Sequence, residues 1–419
     1  GCVPWTPTSS GVYKCSIRVN CVNRFVWMCS ALLLVGCNGV ISDAPGVGGD
    51  PDRSEPVCGR TVCGATGELA TATAFPRLTH AQWENSVRDL LRAGETPNLS
   101  GAFEPDTTIS FFDNNSRALR VSSDLWNDYQ GAAEGLAEEA TSSTEALSRL
   151  LPADLPSDPT ERKLAVVRDL GRRAHRRTLS DDELSAYTTL FDEGAAHFGD
   201  MNAFDAGVRM LLEALLQSPY FLYRVEVGTG RNGDAVTLSD FEIASRLSYM
   251  IWNTMPDDAL LDAAESGSVH TAEQVASQAA RLLDDPRGRE MLERFHSQLF
   301  NWDLFRDLSK DPSDFPLFYG SVGEDMAEEA RLFVEHVVLE ENGNLAELLT
   351  APYTFANSGL AEIYGLEGAF DDSFTLASFD AVSHPERGGL LTQLGVLASH
   401  GGLTGSVHRG VFINHRVLC

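Results

Sequence analysis

The same helix-start signal recurs four times between residues 79 and 274. A Ser or Thr is followed three residues later by Glu or Gln, in the pairs Thr79 with Gln82, Ser180 with Glu183, Ser239 with Glu242, and Thr271 with Gln274. In such a capping box the first side chain accepts a hydrogen bond from the first helical turn, and the Glu or Gln reaches back to the amide of the cap residue. A chain with these repeated starts is constrained to fold mainly as helices.

Apolar residues around these starts follow the period of a helix. They recur at spacings of three and four, as in Val208, Leu211 and Leu215, which places them on one face that faces a core. Only residues 371–379 show a hint of the alternation that is typical of a strand. We therefore predict an all-α fold of multi-helix, bundle-like domains with loop-rich connections and few or no strands.

Length and charge limit the classes of protein that this chain can belong to. With 419 residues, 43% of them hydrophobic and 22% charged, it has ordinary globular composition and enough length for two or three packed units. Its 32 basic and 60 acidic residues give a net charge of -28. Because a negative field repels phosphate backbones, we expect no nucleic-acid partner.

The N-terminal 37 residues have the layout of an export signal. Arg24 precedes an apolar run over residues 25–35, and Gly36 and Cys37 follow it. The run covers only about half of the ~30 Å hydrocarbon core, so a signal peptide is favoured over a transmembrane helix. Its end resembles a bacterial lipobox, which predicts a lipid on Cys37 and an extracytoplasmic, membrane-anchored location at the outer membrane or cell surface. Cleavage of the signal at another position is the alternative.

Two further segments flank the predicted signal. Residues 1–21 resemble no targeting region and are interpreted as upstream sequence, while residues 38–73, rich in Gly, Pro, Asp and Ser, are predicted to form a flexible tether. Cys58 and Cys63 lie in that tether. In an exported protein they are candidates for a disulfide, with two free thiols as the alternative. No Cys and His spacing resembles a zinc site, so we predict no metal.

The densest basic run consists of Arg172, Arg173, Arg176 and Arg177. One interpretation is a docking patch for an acidic protein partner. The other is a charge cluster at the end of a predicted helix over residues 160–177, where cations interact favourably with the helix dipole.

Recognised catalytic signatures are absent from the sequence, which contains no HExxH pair, glycine-rich phosphate loop or nucleophile elbow. Catalytic residues therefore stay unassigned. Asp113, Asn114 and Asn115 form a polar cluster that suits either a Ca²⁺ ion or an Asx turn.

Several segments resemble one family, the secreted multidomain proteins of planctomycetes and myxobacteria that combine planctomycete-type domains of unknown function with cytochrome c-like haem modules. The segments that carry the resemblance are residues 75–91 with Phe112 to Asn115, residues 172–177 with residues 215–224, residues 244–258, and residues 387–393 with Arg409 and Gly410. The chain departs from the family pattern at Ser406, where the family usually has Pro, and around residues 352–359.

The resemblance implies helical domains over residues 74–150, 160–228 and 236–366, and the truncated start of a cytochrome-associated domain over residues 385–419. It also implies an extracytoplasmic redox or electron-transfer protein whose haem c lies in a continuation beyond Cys419, with no cofactor on this chain itself. The expected partners are the membrane, through the lipid anchor, and a redox or envelope protein. A non-enzymatic helical scaffold or binding module at the cell surface is the alternative function.

Overall fold

The computed structural model describes residues 75–418 except 109–110, 117, 233–234 and 400–404. Of the described residues, 59% are helical and 4% lie in strands, which confirms the all-α prediction. The predicted signal peptide, the tether, Cys37, Cys58 and Cys63 all lie outside the described residues. Within the part that is described, no helix combines the length and the apolar composition that spanning a membrane requires.

The helices follow one another with short connections. In chain order they are α1 (His80–Leu90), α2 (Ser123–Thr141), α3 (Thr144–Leu150), α4 (Pro159–His175), α5 (Asp181–His197), α6 (Ala203–Gln217), α7 (Pro219–Leu222), α8 (Asp240–Ile251), α9 (Asp258–Glu265), α10 (Ala272–Leu283), α11 (Pro286–Phe300), α12 (Asp303–Arg306), α13 (Val322–Glu335), α14 (Leu345–Thr350), α15 (Ser358–Tyr364), α16 (Leu394–Ser399) and α17 (Ser406–Arg416). Two 3₁₀ turns (Ser100–Ala102 and Leu390–Thr392) and a π-helical turn (His336–Glu340) complete the set.

All four predicted capping boxes are confirmed. At α1, α5, α8 and α10 the Ser or Thr side chain accepts from the third helical amide, and the Glu or Gln accepts from the amide of the cap residue. A fifth box, formed by Asn344 and Glu347, begins α14. These bonds satisfy amides that the first turn of a helix leaves without partners, so local sequence alone determines where these helices begin.

Four short strands among the described residues form two separate antiparallel pairs. The first pairs β1 (Gly230–Asn232) with β2 (Ala235–Thr237). The second pairs β3 (Tyr353–Ala356) with β4 (Thr375–Ser378), with Tyr353 opposite Ser378 and Phe355 opposite Leu376. Strand β4 lies in the segment whose alternation hinted at a strand, whereas β3 carries no comparable sequence signal.

Two hydrophobic cores organise the described residues. The first lies among α1 to α7 and includes the fully buried Trp83 and Leu170. The second lies among α11 to α17 and includes Phe305, Phe333 and Leu390. Helices α8 to α10 lie between them in sequence, and α8 contributes Tyr249 to the first core.

Candidate functional site

The predicted arginine patch lies where α4 ends. Arg176 follows the last helical residue in the left-handed conformation (φ 57°), and its amide donates to the carbonyls of Arg172 and Arg173. This conformation stops the helix and turns the chain sharply. The side chain of Arg176 points inward, with only 3% of the residue exposed.

Arg176 is surrounded by acceptors from distant parts of the chain. One terminal nitrogen donates to the carbonyl of Phe221 (3.2 Å) and to the hydroxyl of Tyr249 (3.1 Å). The other donates to the carbonyls of Tyr220 and Tyr223, the latter at 2.6 Å. Burying a guanidinium is costly unless its donors are paired, and here three backbone carbonyls and a phenol pair them.

A chain of hydroxyls continues from Arg176 to α1. The Tyr249 hydroxyl lies 2.8 Å from the Ser86 hydroxyl, which lies 2.6 Å from the Gln82 carbonyl. Arg176 can only donate and the carbonyl can only accept, so the direction is determined: Tyr249 donates to Ser86, and Ser86 donates to Gln82. We call Arg176, Tyr249, Ser86 and Gln82 the arginine junction.

Other contacts around the arginine junction join the same helices. Arg173, also 3% exposed, donates to the Leu90 carbonyl at the end of α1. The Thr254 hydroxyl donates to Asp89 (2.7 Å), and the Asn85 amide donates to the Asn253 carbonyl (3.2 Å). Hydrogen bonds therefore connect three parts of the chain: helix α1, the end of α4, and the region at the end of α8.

The two more exposed arginines of the predicted patch bind acids of the same chain. Arg172 pairs with Asp262 (2.6 Å) and Glu265 (3.1 Å). Arg177 makes two hydrogen bonds to Glu183, at 2.7 and 2.8 Å. Since Arg173 and Arg176 are buried, a docking patch made of all four side chains does not exist on the surface. The run instead connects parts of the fold, a role that the sequence did not reveal.

His175, beside this run, lies in an aromatic pocket. Its Nε2 atom is 3.0 Å from the Tyr187 hydroxyl and 3.3 Å from the Ser218 hydroxyl, and its ring packs on that of Tyr220 with centroids 4.8 Å apart. Burial lowers the pKa of His175 to about 4, so the imidazole is neutral near pH 7. Hydrogen bonds from Arg177 are the main cause that lowers the pKa of Glu183 to about 2.

Ser218, His175 and Glu183 thus come together without forming a catalytic relay. The Glu183 oxygen is 3.6 Å from His175 Nδ1, beyond hydrogen-bond distance, and that nitrogen has no hydrogen-bond partner. Ser218 Oγ accepts from the Tyr220 amide and caps α7. Because His175 is closer to the Tyr187 hydroxyl than to Ser218, the arrangement serves packing and capping, and catalytic residues stay unassigned.

The other candidate residues lie apart from the arginine junction. Asp113 pairs with Arg294, so this carboxylate of the possible Ca²⁺ cluster is bonded to a cation of the chain. An open groove of about 540 Å³ runs beside α17 and is lined by Phe111, Val411 and Phe412 together with His408 and His415.

Comparisons with known families divide the chain into three segments. Family models match residues 77–142 (PSD3, a protein of unknown function, DUF1587), 164–226 (PSD5, a protein of unknown function, DUF1595) and 238–366 (PSD4, a protein of unknown function, DUF1592). The chain carries three planctomycete-type domains of unknown function. Searches of curated proteins and of solved structures found no match.

The arginine junction belongs to all three domains. Ser86 and Gln82 lie in the PSD3 domain, Arg176 in the PSD5 domain and Tyr249 in the PSD4 domain. A backbone hydrogen bond also joins the PSD3 and PSD5 domains, since the Leu78 amide donates to the Leu222 carbonyl at 2.9 Å. The three domains therefore share one buried polar junction.

Removal of one hydroxyl should weaken this junction. Tyr249→Phe takes an acceptor from Arg176 and a donor from Ser86, and we expect it to lower the free energy of unfolding by about 1–3 kcal/mol. Urea unfolding followed by far-UV dichroism measures this change. The control is Tyr353→Phe, whose side chain is partly exposed and which should change stability by less than about 0.5 kcal/mol. Equal effects of the two variants would contradict the role of the Tyr249 hydroxyl.

The buried imidazole should make the protein sensitive to acid. Between about pH 6.5 and the folded pKa of about 4, His175 binds a proton in the unfolded state but not in the folded state. The free energy of unfolding therefore has its full contribution from His175 above this window and loses it as pH falls through the window. The loss amounts to about 3 kcal/mol. We expect His175→Phe to remove that part of the slope when urea unfolding is measured from about pH 7 to about pH 4. His270→Phe, which replaces a side chain that is 65% exposed, should leave the slope unchanged. A wild-type slope in His175→Phe would show that another group is responsible.

Proposed function

We propose that this chain is an extracytoplasmic envelope lipoprotein, anchored by a lipid on Cys37, whose three domains form a rigid support for a haem c-bearing segment. The observation that carries this proposal is the arginine junction, because side chains of all three domains bind one another there in the interior. A support that holds a redox group in a defined position needs domains that do not move independently.

The packing of the C-terminal part supports the same function. Residues 387–393 resemble the opening of a cytochrome-associated domain, and Leu390 is fully buried in the second core. Phe412 of α17 belongs to the same core. A haem-bearing continuation would thus be connected to a well-packed part of the protein rather than to a free linker.

Lipidation can be tested by metabolic labelling. The full precursor, expressed in a bacterium fed with labelled palmitate, should incorporate the label, and Cys37→Ala should abolish incorporation. Cys58→Ala is the matched control, because it removes a cysteine from the predicted tether and should leave labelling intact. Labelling that survives in Cys37→Ala would exclude Cys37 as the lipid attachment site.

The haem hypothesis requires the gene to be read past Cys419. An extended protein, produced in a host with a cytochrome c maturation system, should show a Soret band that survives acid-acetone extraction, as covalently attached haem does. The 419-residue chain, expressed in the same host, is the control and should show no such band. An extension without bound haem would instead favour a scaffold or binding module at the cell surface, for which the strongly acidic composition favours a basic partner.

A further inference from the structure

A carboxyl group lies in the middle of the second core. Glu329 of α13 is fully buried. Its Oε1 atom accepts hydrogen bonds from the Thr354 hydroxyl of β3 and from the Tyr364 hydroxyl of α15, both at 2.6 Å. Its other oxygen, Oε2, is buried and has no hydrogen-bond partner.

A second buried acceptor without a partner lies close by. The Gln393 side chain, in a residue that is 3% exposed, donates its amide to the Thr354 hydroxyl at 3.2 Å, and its carbonyl oxygen has no partner. Glu329 and Gln393 therefore contact the same hydroxyl, and each retains one unsatisfied oxygen. Two acceptors cannot satisfy each other, but one added proton would turn the Glu329 oxygen into a donor.

We propose that Glu329 is a proton-binding site: it is held as the neutral acid, its Oε2 donates a hydrogen bond toward the Gln393 carbonyl, and this bond makes the attachment of residues 387–394 depend on protonation. We call Glu329, Thr354, Tyr364 and Gln393 the Glu329 latch.

Burial favours the neutral form of Glu329, whereas the hydrogen bonds from Thr354 and Tyr364 and the charge of Arg387 favour the carboxylate. The groups that act on it from neighbouring elements are Tyr364 of α15, Arg387 of the C-terminal segment, and Tyr319 before α13. Arg387 lies over the Tyr364 ring, 4.9 Å from its centroid, instead of forming an ion pair with Glu329. Asp325, one turn earlier on α13, accepts from Tyr319 and Asn357. Burial without a paired cation is the main cause that raises the pKa of Glu329 to about 7.

The Glu329 latch reaches the backbone that leads to α16 and α17. The Leu394 amide donates a hydrogen bond to the Tyr364 hydroxyl at 3.0 Å, and this hydroxyl in turn donates a hydrogen bond to Glu329. Nearby, Gly389 has a φ of 67°, and a side chain there would lie 2.1 Å from the Leu349 carbonyl carbon. The segment therefore lies tightly against α14 and the Glu329 latch, so losing the proton should release this segment first.

The direction of the pH effect follows from proton binding. While residues 387–394 are attached, Glu329 keeps its proton up to about pH 7. When they detach and expose it, Glu329 loses the proton near the ordinary glutamate pKa of 4.5. Opening is therefore favoured about tenfold per pH unit as pH rises through this window, and the effect levels off above it. This dependence is opposite in sign to that of His175.

Hydrogen exchange of the full chain tests the proposal directly. After correction for the intrinsic rate, protection of the peptide spanning residues 387–397 should fall about 40-fold between about pH 5 and about pH 7. Glu329→Gln mimics the protonated acid and should keep this peptide protected across the range. Glu328→Gln is the matched control, since Glu328 pairs with Arg331 on the side of α13 that is partly exposed, and it should behave as wild type.

Infrared spectroscopy of the wild-type protein gives a second readout that needs no variant to fold. A protonated-carboxyl band should be present at about pH 5, fall to half of its intensity near pH 7 and disappear above it, and Glu329→Gln should lack it. The proposal is overturned if that band is absent at about pH 5, or if Glu329→Gln loses protection there while Glu328→Gln does not. The latter result would mean that the ionised carboxylate holds the segment. Neither hydrogen exchange nor infrared spectroscopy depends on lipidation or haem. The outcome of this test is therefore independent of the proposed function.

Discussion

The buried guanidinium of Arg176 is the interaction on which the arrangement of the three domains depends. A cation in the interior needs donors matched to acceptors, and Arg176 finds them in carbonyls around α7 and in the Tyr249 hydroxyl. These groups converge only if α4, α7 and α8 are correctly placed together. The energetic penalty of leaving the charge unpaired therefore opposes any rearrangement of the PSD5 and PSD4 domains relative to each other.

Some buried ionisable groups of this protein are charged and others are neutral. Arg176 is buried among backbone carbonyls that accept from its guanidinium, whereas Arg173 donates to the Leu90 carbonyl and also pairs with Asp169 at 3.2 Å. His175 and Glu329 are buried among hydroxyls and aromatic rings, and for both groups burial is the main cause that shifts the pKa toward the neutral form. Burial thus neutralises the imidazole and the carboxyl but not the guanidinium groups, because a guanidinium is not deprotonated in proteins.

The second core extends past the region that the PSD4 model matches. That match ends at residue 366, yet Leu390, Val396 and Phe412 pack into the same core as α13. Polar contacts follow the same route, since Gln393 and the Leu394 amide bind Thr354 and Tyr364. Residues 387–399 and helix α17 therefore complete the packing of the PSD4 domain, whichever function the chain serves.

Local sequence by itself determined the helical class and the helix starts, because a capping box needs only residues three positions apart, and all four predicted boxes are present. It also placed the arginine run at a helix end. Only tertiary structure decided that Arg176 turns inward and that Glu329 and Gln393 bond to the same Thr354 hydroxyl, because the partners lie tens of residues away along the chain. Strand β3 was missed for the same reason: its pairing depends on β4, about twenty residues further on, and not on any alternation of its own.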